Sequence, residues 1–184
     1  MNDIIKNIKE RRSTRKFKEE QIKDGELEVI IEAGIYAPSA HNQQPWHFTI
    51  IQNKDIISEI NEESKKAMKE HSDKWIAKLG NNEKFDIHYN SPTVIVVSEK
   101  KDCYSKFVNA SAATQNMLLS AESIGVGSCW IGFSKFYLAQ EDKIKKLNIP
   151  DGYEPQYTVA LGYKALETKQ NAPKRNKEVV NYIR

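Results

Sequence analysis

The chain has 184 residues, the usual length of one domain with a substantial buried core, so we predict a single domain over residues 1–184. Its net charge is only +3 and its acidic and basic residues are interleaved, which argues against nucleic-acid binding. The longest apolar run, Val94–Val97, is too short for a membrane span and the N terminus lacks a signal-peptide core, so we expect a cytoplasmic protein that does not bind membranes.

The N-terminal half is predicted to form three helices and one strand. Asp3 is a candidate cap for the first helix, and Asp24 for the second, whose apolar residues repeat at helical spacing until Pro38 ends it. Aromatic and β-branched residues predict a strand at 47–52, and Asn53 is a candidate cap for the third helix. The segment that follows Pro38 therefore lies at a helix-to-strand junction.

The C-terminal half combines a highly charged segment with the most apolar elements. Residues 61–90 are predicted to be helical, peripheral and mobile. The continuous apolar stretch 93–98 predicts a strand that is covered on both faces. Residues 107–124, capped by Gly125, predict a long helix whose broad apolar arc packs against the sheet and a second subunit. The remaining predicted elements are a strand at 128–132, a helix at about 135–147, a strand at 156–162 and a polar tail at 163–184 that we expect to wrap onto a partner chain.

A basic cluster follows the first helix, where Arg11, Arg12 and Arg15 flank the hydroxyl of Ser13. Cations near a helix C terminus can merely complement its dipole, and for any single one of these arginines that explanation is as good as a binding role. Guanidinium groups also bind phosphate through two parallel hydrogen bonds. Because the sequence contains neither GxGxxG nor GxxxxGK[ST], a bound phosphate must be held by side chains such as these.

The loop Ala37–Trp46 packs small, hydroxyl and amide side chains between Pro38 and Pro45. The two prolines fix φ, so the polar groups between them are held at a low entropic cost. A polar helix-to-strand turn is the alternative, but turns rarely need so many amides, so we favour binding of a flat polar heterocycle. Gln44 is a candidate structural amide, and Trp46 a candidate core anchor. The candidate binding residues of the loop are Pro38, Ser39, Ala40 and Asn42.

The segment Gly127–Gly132 contains Cys129, one of two cysteines. We do not predict a nucleophile, because cysteine in a strand behaves as a small buried apolar residue and no histidine lies nearby in sequence. Cys103 and Cys129 form no CxxC pair, so no disulfide is predicted. The four histidines show no metal-ligand spacing, so we expect no metal site.

Two further basic residues, Lys174 and Arg175, follow Pro173 near the C terminus. Alone they fit a solvated basic tail. Beside the N-terminal arginines they become candidates for the second half of a phosphate clamp that folding brings together from both ends of the chain. Which of the two would contact phosphate stays open.

These segments resemble, in sequence and in order, the signature segments of the FMN-dependent nitroreductase family. Arg11–Phe17 resembles the family's RRSxRxF opening, Pro38–Trp46 its PSxxNxQPW loop, and Gly127–Gly132 its GxCWIG strand. Pro173–Arg175 lies where the family carries a basic phosphate-binding tail. The resemblance implies an α+β fold, layered as three-layer α/β, with a mixed central sheet flanked by helices. It also implies a homodimer with exchanged C-terminal arms.

The resemblance implies a role for each segment toward FMN. Arg11 and Ser13 would hold the phosphate and ribityl end, and Arg15 would reach N1 and O2 of the flavin ring. The loop would reach the flavin from the neighbouring subunit, and backbone N–H groups at Ile131 and Gly132 would face N5. No side chain is assigned a catalytic role. The implied cofactor-binding residues are Arg11, Arg12, Ser13, Arg15, Pro38, Ser39, Ala40, Asn42, Cys129, Trp130, Ile131, Gly132, Lys174 and Arg175.

The implied activity is that of an FMN-dependent NAD(P)H oxidoreductase. NADH or NADPH would pass hydride to the flavin and leave, and a nitroaromatic or quinone would then take its place in a ping-pong cycle. Trp75 and Phe85 are expected to border the open face of the flavin, in the region where the family varies its substrate lid. A protein that stores or senses FMN without such turnover is the alternative, and a basic interaction protein without flavin ranks far behind.

Overall fold

The computed structural model describes residues 2–166 and 171–184. Its helices are α1 (Asp3–Glu10), α2 (Asp24–Ile35), α3 (Lys54–Lys69), α4 (Lys74–Gly80), α5 (Val108–Ser123), α6 (Lys135–Leu138) and α7 (Glu141–Ile144). Its strands are β1 (Trp46–Ile51), β2 (Thr93–Lys100), β3 (Val126–Ile131) and β4 (Tyr153–Tyr163). Short 3-10 turns lie at Ala40–Asn42 and Lys145–Leu147.

The four strands form one sheet in the order β1-β2-β4-β3, and each neighbouring pair is antiparallel. β2 and β4 occupy the centre, so β1 and β3 form opposite edges. An isolated parallel bridge between Ser13 and Ser128 lays the segment after α1 along β3. With this bridge the sheet region contains both strand orientations, as the prediction of a mixed sheet requires.

Alternate residues of the central strands face two separate apolar cores. Ile95 and Val97 point into a core shared with α2 and α5, whereas Val94 and Val96 point into a second core shared with α3 and α6. Both faces of β2 are therefore buried, as its continuous apolar sequence predicts. The helices cover the sheet on both sides, which confirms the three-layer prediction.

The predicted helix caps are partly correct. Asn53 accepts hydrogen bonds from two backbone N–H groups of α3 and is the predicted cap. For α1 the prediction of Asp3 was wrong by one residue, because the side chain of Asn2 accepts from the N–H of Ile5 at 2.9 Å. At the start of α2, Asp24 is already helical, and the Glu26 carboxylate instead accepts from the N–H of Lys23 at 3.0 Å.

A buried carboxylate holds the N terminus of α5. Glu99 has no exposed surface, and its two oxygens accept from the N–H of Phe107 at 2.6 Å and the N–H of Ala110 at 2.9 Å. Phe107 precedes the helix with a positive φ of 65°. A negative charge at a helix N terminus is favourable, so Glu99 both pairs orphan donors and complements the dipole.

Two predicted segments differ from the structure. The C-terminal half of α3 is not peripheral, because Ser64 and Met68 are buried. The predicted helix at about 135–147 is divided into α6, α7 and a 3-10 turn, with Gln140 in an extended conformation between the first two. None of the helices in residues 2–166 or the segment 171–184 combines the length and apolar character needed to cross a bilayer.

Candidate functional site

The segment that follows α1 is fixed against strands β3 and β4. The N–H of Thr14 donates to the carbonyl of Ser128 at 2.9 Å, and the N–H of Lys18 donates to the carbonyl of Tyr163 at 2.9 Å. Gly127 permits this approach, because a Cβ atom there would lie 2.8 Å from Oγ1 of Thr14. The two sequence motifs 11–17 and 127–132 are thereby brought together at one edge of the sheet.

We expect Gly127→Ala to lower the free energy of unfolding by about 1–3 kcal/mol, because the added methyl overlaps both the Thr14 side chain and Cγ of Lys164. Hydrogen exchange at the Thr14 amide should become faster in this variant, because the added methyl would strain the hydrogen bond from Thr14 to β3. Gly25→Ala is the matched control, because a Cβ at Gly25 meets no atom within 4 Å. Equal stabilities of the two variants would contradict the close approach.

The N-terminal motif lies beside the strand that carries Cys129, where Ser13 forms a parallel bridge with Ser128. Burial is the largest influence on the Cys129 thiol and raises its pKa, while the positive charge of Arg15, a hydrogen bond from Ser13 and the charge of Arg11 oppose it. Cys129 is 4% exposed, which confirms the prediction of a buried strand residue. Ser13 is bridged to Ser128, and Arg15 lies over the ring of Tyr89, which packs against Cys129. The motif thus presents a hydroxyl and a cation at this part of β3, which suits an anion.

Arg12 is directed elsewhere. Its Nη1 donates to the carbonyl of Lys9 at 2.8 Å and to that of Arg11 at 2.7 Å, at the C terminus of α1. Its Nε is buried without a hydrogen-bond partner in the described part of the chain. Arg12 therefore has the helix-capping role that the sequence offered as the alternative to binding, with one donor left unused.

Hydrogen bonds within the loop between α2 and β1, and from the loop to α5, hold it together. Oγ of Ser39 accepts from the N–H of Gln44 at 2.9 Å, and the Gln44 amide donates to Oδ1 of Asn42 at 3.1 Å, so Gln44 closes the loop as predicted. The N–H of Ala40 donates to Oδ1 of the buried Asn109 at 3.0 Å. The left-handed backbone of His41, Asn42 and Gln44 leaves these polar groups in fixed positions.

The loop lies diagonally across the sheet from the arginine cluster. The strand register aligns Cys129 on β3 with Ile51 on β1, at a distance of three strand spacings across the sheet. The loop joins β1 at Trp46, five residues from Ile51 along that strand. Spacings of about 4.8 Å between strands and about 3.4 Å per residue give a separation of about 20 Å. One chain therefore presents the two predicted halves of the site at opposite corners. Trp46 itself is buried, as predicted.

An aromatic row extends away from the end of β3. Tyr89 contacts Phe85 at a centroid distance of 6.2 Å, Phe85 contacts Phe133 at 6.0 Å, and Phe133 contacts Trp75 at 5.8 Å. Gly132, beside Phe133, has open space around its Cα, since an added Cβ would meet nothing within 4 Å. The sequence predicted that Trp75 and Phe85 border the binding site, and both belong to this row. It did not predict Phe133, although the position of Phe133 directly after Gly132 could have indicated it.

The remaining predicted residues take no part in this cluster within one chain. Lys174 and Arg175 lie in segment 171–184, every residue of which is exposed. Both cysteines are free thiols. Within residues 2–166 and 171–184, no three His, Cys, Asp or Glu side chains are placed to hold a metal ion. Trp130 packs on the face opposite Cys129, with its ring 4.6 Å from that of Tyr157.

A buried histidine lies directly beneath the end of β3. Nε2 of His88 is 3.0 Å from Oγ1 of Thr158, the residue paired with Ile131, and its Nδ1 has no partner among the described residues. Complete burial lowers the pKa of His88 from 6.5 to about 4, against a smaller opposing effect of Asp86. His88 is therefore neutral in the folded protein at neutral pH.

This histidine predicts a pH-dependent stability. As the pH falls below 6.5 the unfolded chain binds a proton at His88 that the folded protein does not bind until about pH 4, so the folded state is disfavoured across this window. We expect a loss of about 2–3 kcal/mol between pH 7 and pH 4. His88→Gln keeps a hydrogen-bond donor for Thr158 and should remove this loss when the free energy of unfolding is measured by urea denaturation at each pH. If the wild type and the variant lose the same stability between pH 7 and pH 4, the assignment is wrong.

Comparison with known proteins gives one consistent picture. A family model described as "Nitroreductase family" matches residues 8–163. A protein of Archaeoglobus fulgidus, provisionally named NADH dehydrogenase/NAD(P)H nitroreductase, is 31% identical over 171 residues that cover 89% of this chain and 86% of that protein. Similarity thus extends over most of both sequences.

Two solved structures share the fold over their whole length. A nitroreductase with bound FMN from Bacteroides fragilis has a TM-score of 0.88 and 30% identity, with full coverage of both chains. A nitroreductase with bound FMN from Desulfitobacterium hafniense has a TM-score of 0.88 and 28% identity, again with full coverage of both.

Proposed function

Because the chain belongs to the nitroreductase family, we propose that it is an FMN-dependent oxidoreductase that passes electrons from NADH or NADPH to a small nitroaromatic or quinone. The observation that carries this proposal is the position of the basic motif 11–15 beside β3, where Ser13 is bridged to Ser128 and open space lies at Gly132. Two similar structures hold FMN, which supports the same cofactor here. We propose a cytoplasmic location for the protein, because its two cysteines are free thiols and reduced nicotinamide would be its electron donor.

The residues present fit a flavin mononucleotide. The basic and hydroxyl side chains of the motif 11–15 beside β3 suit its anionic and polar groups, and the open space at Gly132 admits a flat ring close to the backbone. We assign Arg11 and Ser13 to the phosphate and ribityl end. Arg15 is assigned to the N1 and O2 side of the ring, and backbone N–H groups at Ile131 and Gly132 to the N5 side.

A complete site requires two copies of the chain. The loop with Pro38, Ser39, Ala40 and Asn42 lies about 20 Å from the arginine cluster by strand geometry, so we propose that it serves the flavin of the partner subunit. Lys174 and Arg175, exposed in the C-terminal segment, would likewise reach phosphate across the interface.

Exposed apolar surface supports this dimer. Ile4 and Ile8 of α1 and Tyr36 after α2 line an open groove and are 70%, 48% and 78% exposed, which is uncommon for a stable monomer. The C-terminal segment carries a second apolar set, Val179, Val180, Tyr182 and Ile183, all exposed. We propose that exchanged C-terminal arms cover such surfaces in a homodimer.

The protein's own part in the reaction is placement and electrostatics. Bound FMN supplies two-electron hydride chemistry to this scaffold, which explains why no side-chain triad is needed. The cation of Arg15 favours negative charge at the position assigned to it, and the aromatic row from Tyr89 to Trp75 gives flat donors and acceptors an apolar wall. Donor and acceptor would use the same open face in turn.

Steady-state turnover tests this proposal against a flavin store or sensor. We expect FMN-loaded protein to oxidise NADH or NADPH continuously when a nitroarene or quinone is added, with parallel lines in double-reciprocal plots. Heat-treated protein with the same amount of free FMN is the control. Bound flavin that never supports turnover would contradict the proposed enzymatic activity and favour a protein that stores or senses FMN.

A further inference from the structure

We propose that Tyr89 is a positioning residue for Arg15: its ring face holds the guanidinium in place and leaves both its charge and its N–H donors available to a bound anion. Cζ of Arg15 lies 5.9 Å from the centroid of the Tyr89 ring, within the range of a cation–π contact. The inference rests on the proposed flavin site, to which Arg15 is assigned.

Tyr89 is itself fixed by the turn that carries it. Oδ1 of Asp86 accepts from the N–H of His88 at 2.8 Å and from the N–H of Asn90 at 3.0 Å, and the N–H of Tyr89 donates to the Asp86 carbonyl at 3.1 Å. The edge contact with Phe85 holds the ring from one side. A ring held in this way can define where a long, otherwise exposed arginine lies.

The turn is also anchored to the sheet beneath the site. His88 reaches Thr158, and the Tyr89 ring packs against the cluster of Cys129, Ile131 and Ala160. Tyr89 and Asn90 adopt positive φ values of 57° and 56°, a conformation that costs energy for a tyrosine and persists only when its surroundings enforce it. Backbone strain of this kind clusters at functional sites, which is consistent with a role for the Tyr89 ring in positioning Arg15.

An aromatic partner differs from a carboxylate in its effect on the arginine. A carboxylate would occupy two guanidinium donors and offset the positive charge, whereas a ring face uses neither donor. The ring carries no formal charge, so its contact with Arg15 leaves the positive charge of the guanidinium in place. The pairing thus orders the side chain before a ligand arrives, without neutralising the group that would attract it.

The test compares three variants of Tyr89 by FMN affinity and by the two-electron reduction potential of the bound flavin. Tyr89→Phe keeps the ring and should match the wild type. Tyr89→Leu removes it and should weaken FMN binding about three- to thirtyfold and make the potential more negative. Tyr89→Asn also removes the ring but tolerates the positive φ, so it separates loss of the ring from backbone strain.

Two controls distinguish positioning from general damage. Phe136→Leu breaks another cation–π contact, that with Lys135 at 5.0 Å, and should leave affinity and potential unchanged. In an Arg15→Ala background, Tyr89→Asn should have no further effect, because the residue it positions is gone. Additive effects, or wild-type behaviour of Tyr89→Asn, would overturn the inference while the flavin site stands. A wild-type protein that binds no FMN would overturn both.

Discussion

Arg15→Ala is expected to weaken FMN binding about ten- to a hundredfold, since a charged hydrogen bond contributes about 1.5–3 kcal/mol. The reduction potential of the bound flavin should also become more negative, because two-electron reduction places negative charge near N1 and O2, the region assigned to Arg15. Each tenfold loss in preference for the reduced form corresponds to about 30 mV. The effect is large because the variant removes a full positive charge from the position assigned to it beside the ring.

Fluorescence titration with FMN and a dye-equilibration potential measure the two effects separately. Lys16→Ala is the matched control, because it removes the same charge from the neighbouring exposed residue, whose side chain leaves an extended segment on the other side. We expect that control to retain wild-type affinity within about twofold, as surface charges contribute little. An Arg15→Ala protein with unchanged affinity and potential would show that Arg15 is misplaced.

The second large effect is expected at Glu99. Glu99→Ala should lower the free energy of unfolding by about 3–5 kcal/mol, because it takes the acceptors from the buried N–H of Ala110 and the part-buried N–H of Phe107 and removes a charge from the N terminus of α5. The loop should loosen as well, since Asn109 in the first turn of that helix holds the N–H of Ala40.

Urea denaturation followed by circular dichroism measures the first effect, and hydrogen exchange at Ala40 the second. Glu154→Ala is the control, because Glu154 pairs with Lys106 at 2.7 Å near the surface and such pairs contribute about 1 kcal/mol or less. A Glu99 variant no less stable than this control would contradict the buried-cap interpretation.

Local chemistry explains which parts of the fold follow from the sequence. The cap at Asn53, the left-handed Gly125 after α5 and the two buried faces of β2 can each be predicted from a short stretch of sequence, and each prediction was confirmed. The cap of α1 was misassigned because Asn2 and Asp3 are adjacent and both are good caps. Propensity cannot choose between two such neighbours.

Long-range pairing explains what the sequence could not provide. The burial of Glu99 contradicts the usual exposure of charged residues and follows only from the position of α5 above the sheet. The contact of Arg15 with Tyr89 joins residues 74 positions apart, and no local pattern in the sequence pairs them. Likewise, the diagonal separation of the loop from the arginine cluster depends on the strand order β1-β2-β4-β3.

The most direct test of the central claim is the visible absorption spectrum of the purified full-length protein, incubated with FMN and freed of excess, before and after anaerobic addition of NADH and then NADPH. We expect a flavin spectrum that bleaches with at least one nucleotide, and FMN as the chromophore released by heat. A protein that retains no flavin, or one whose bound flavin neither nucleotide reduces, would contradict the account.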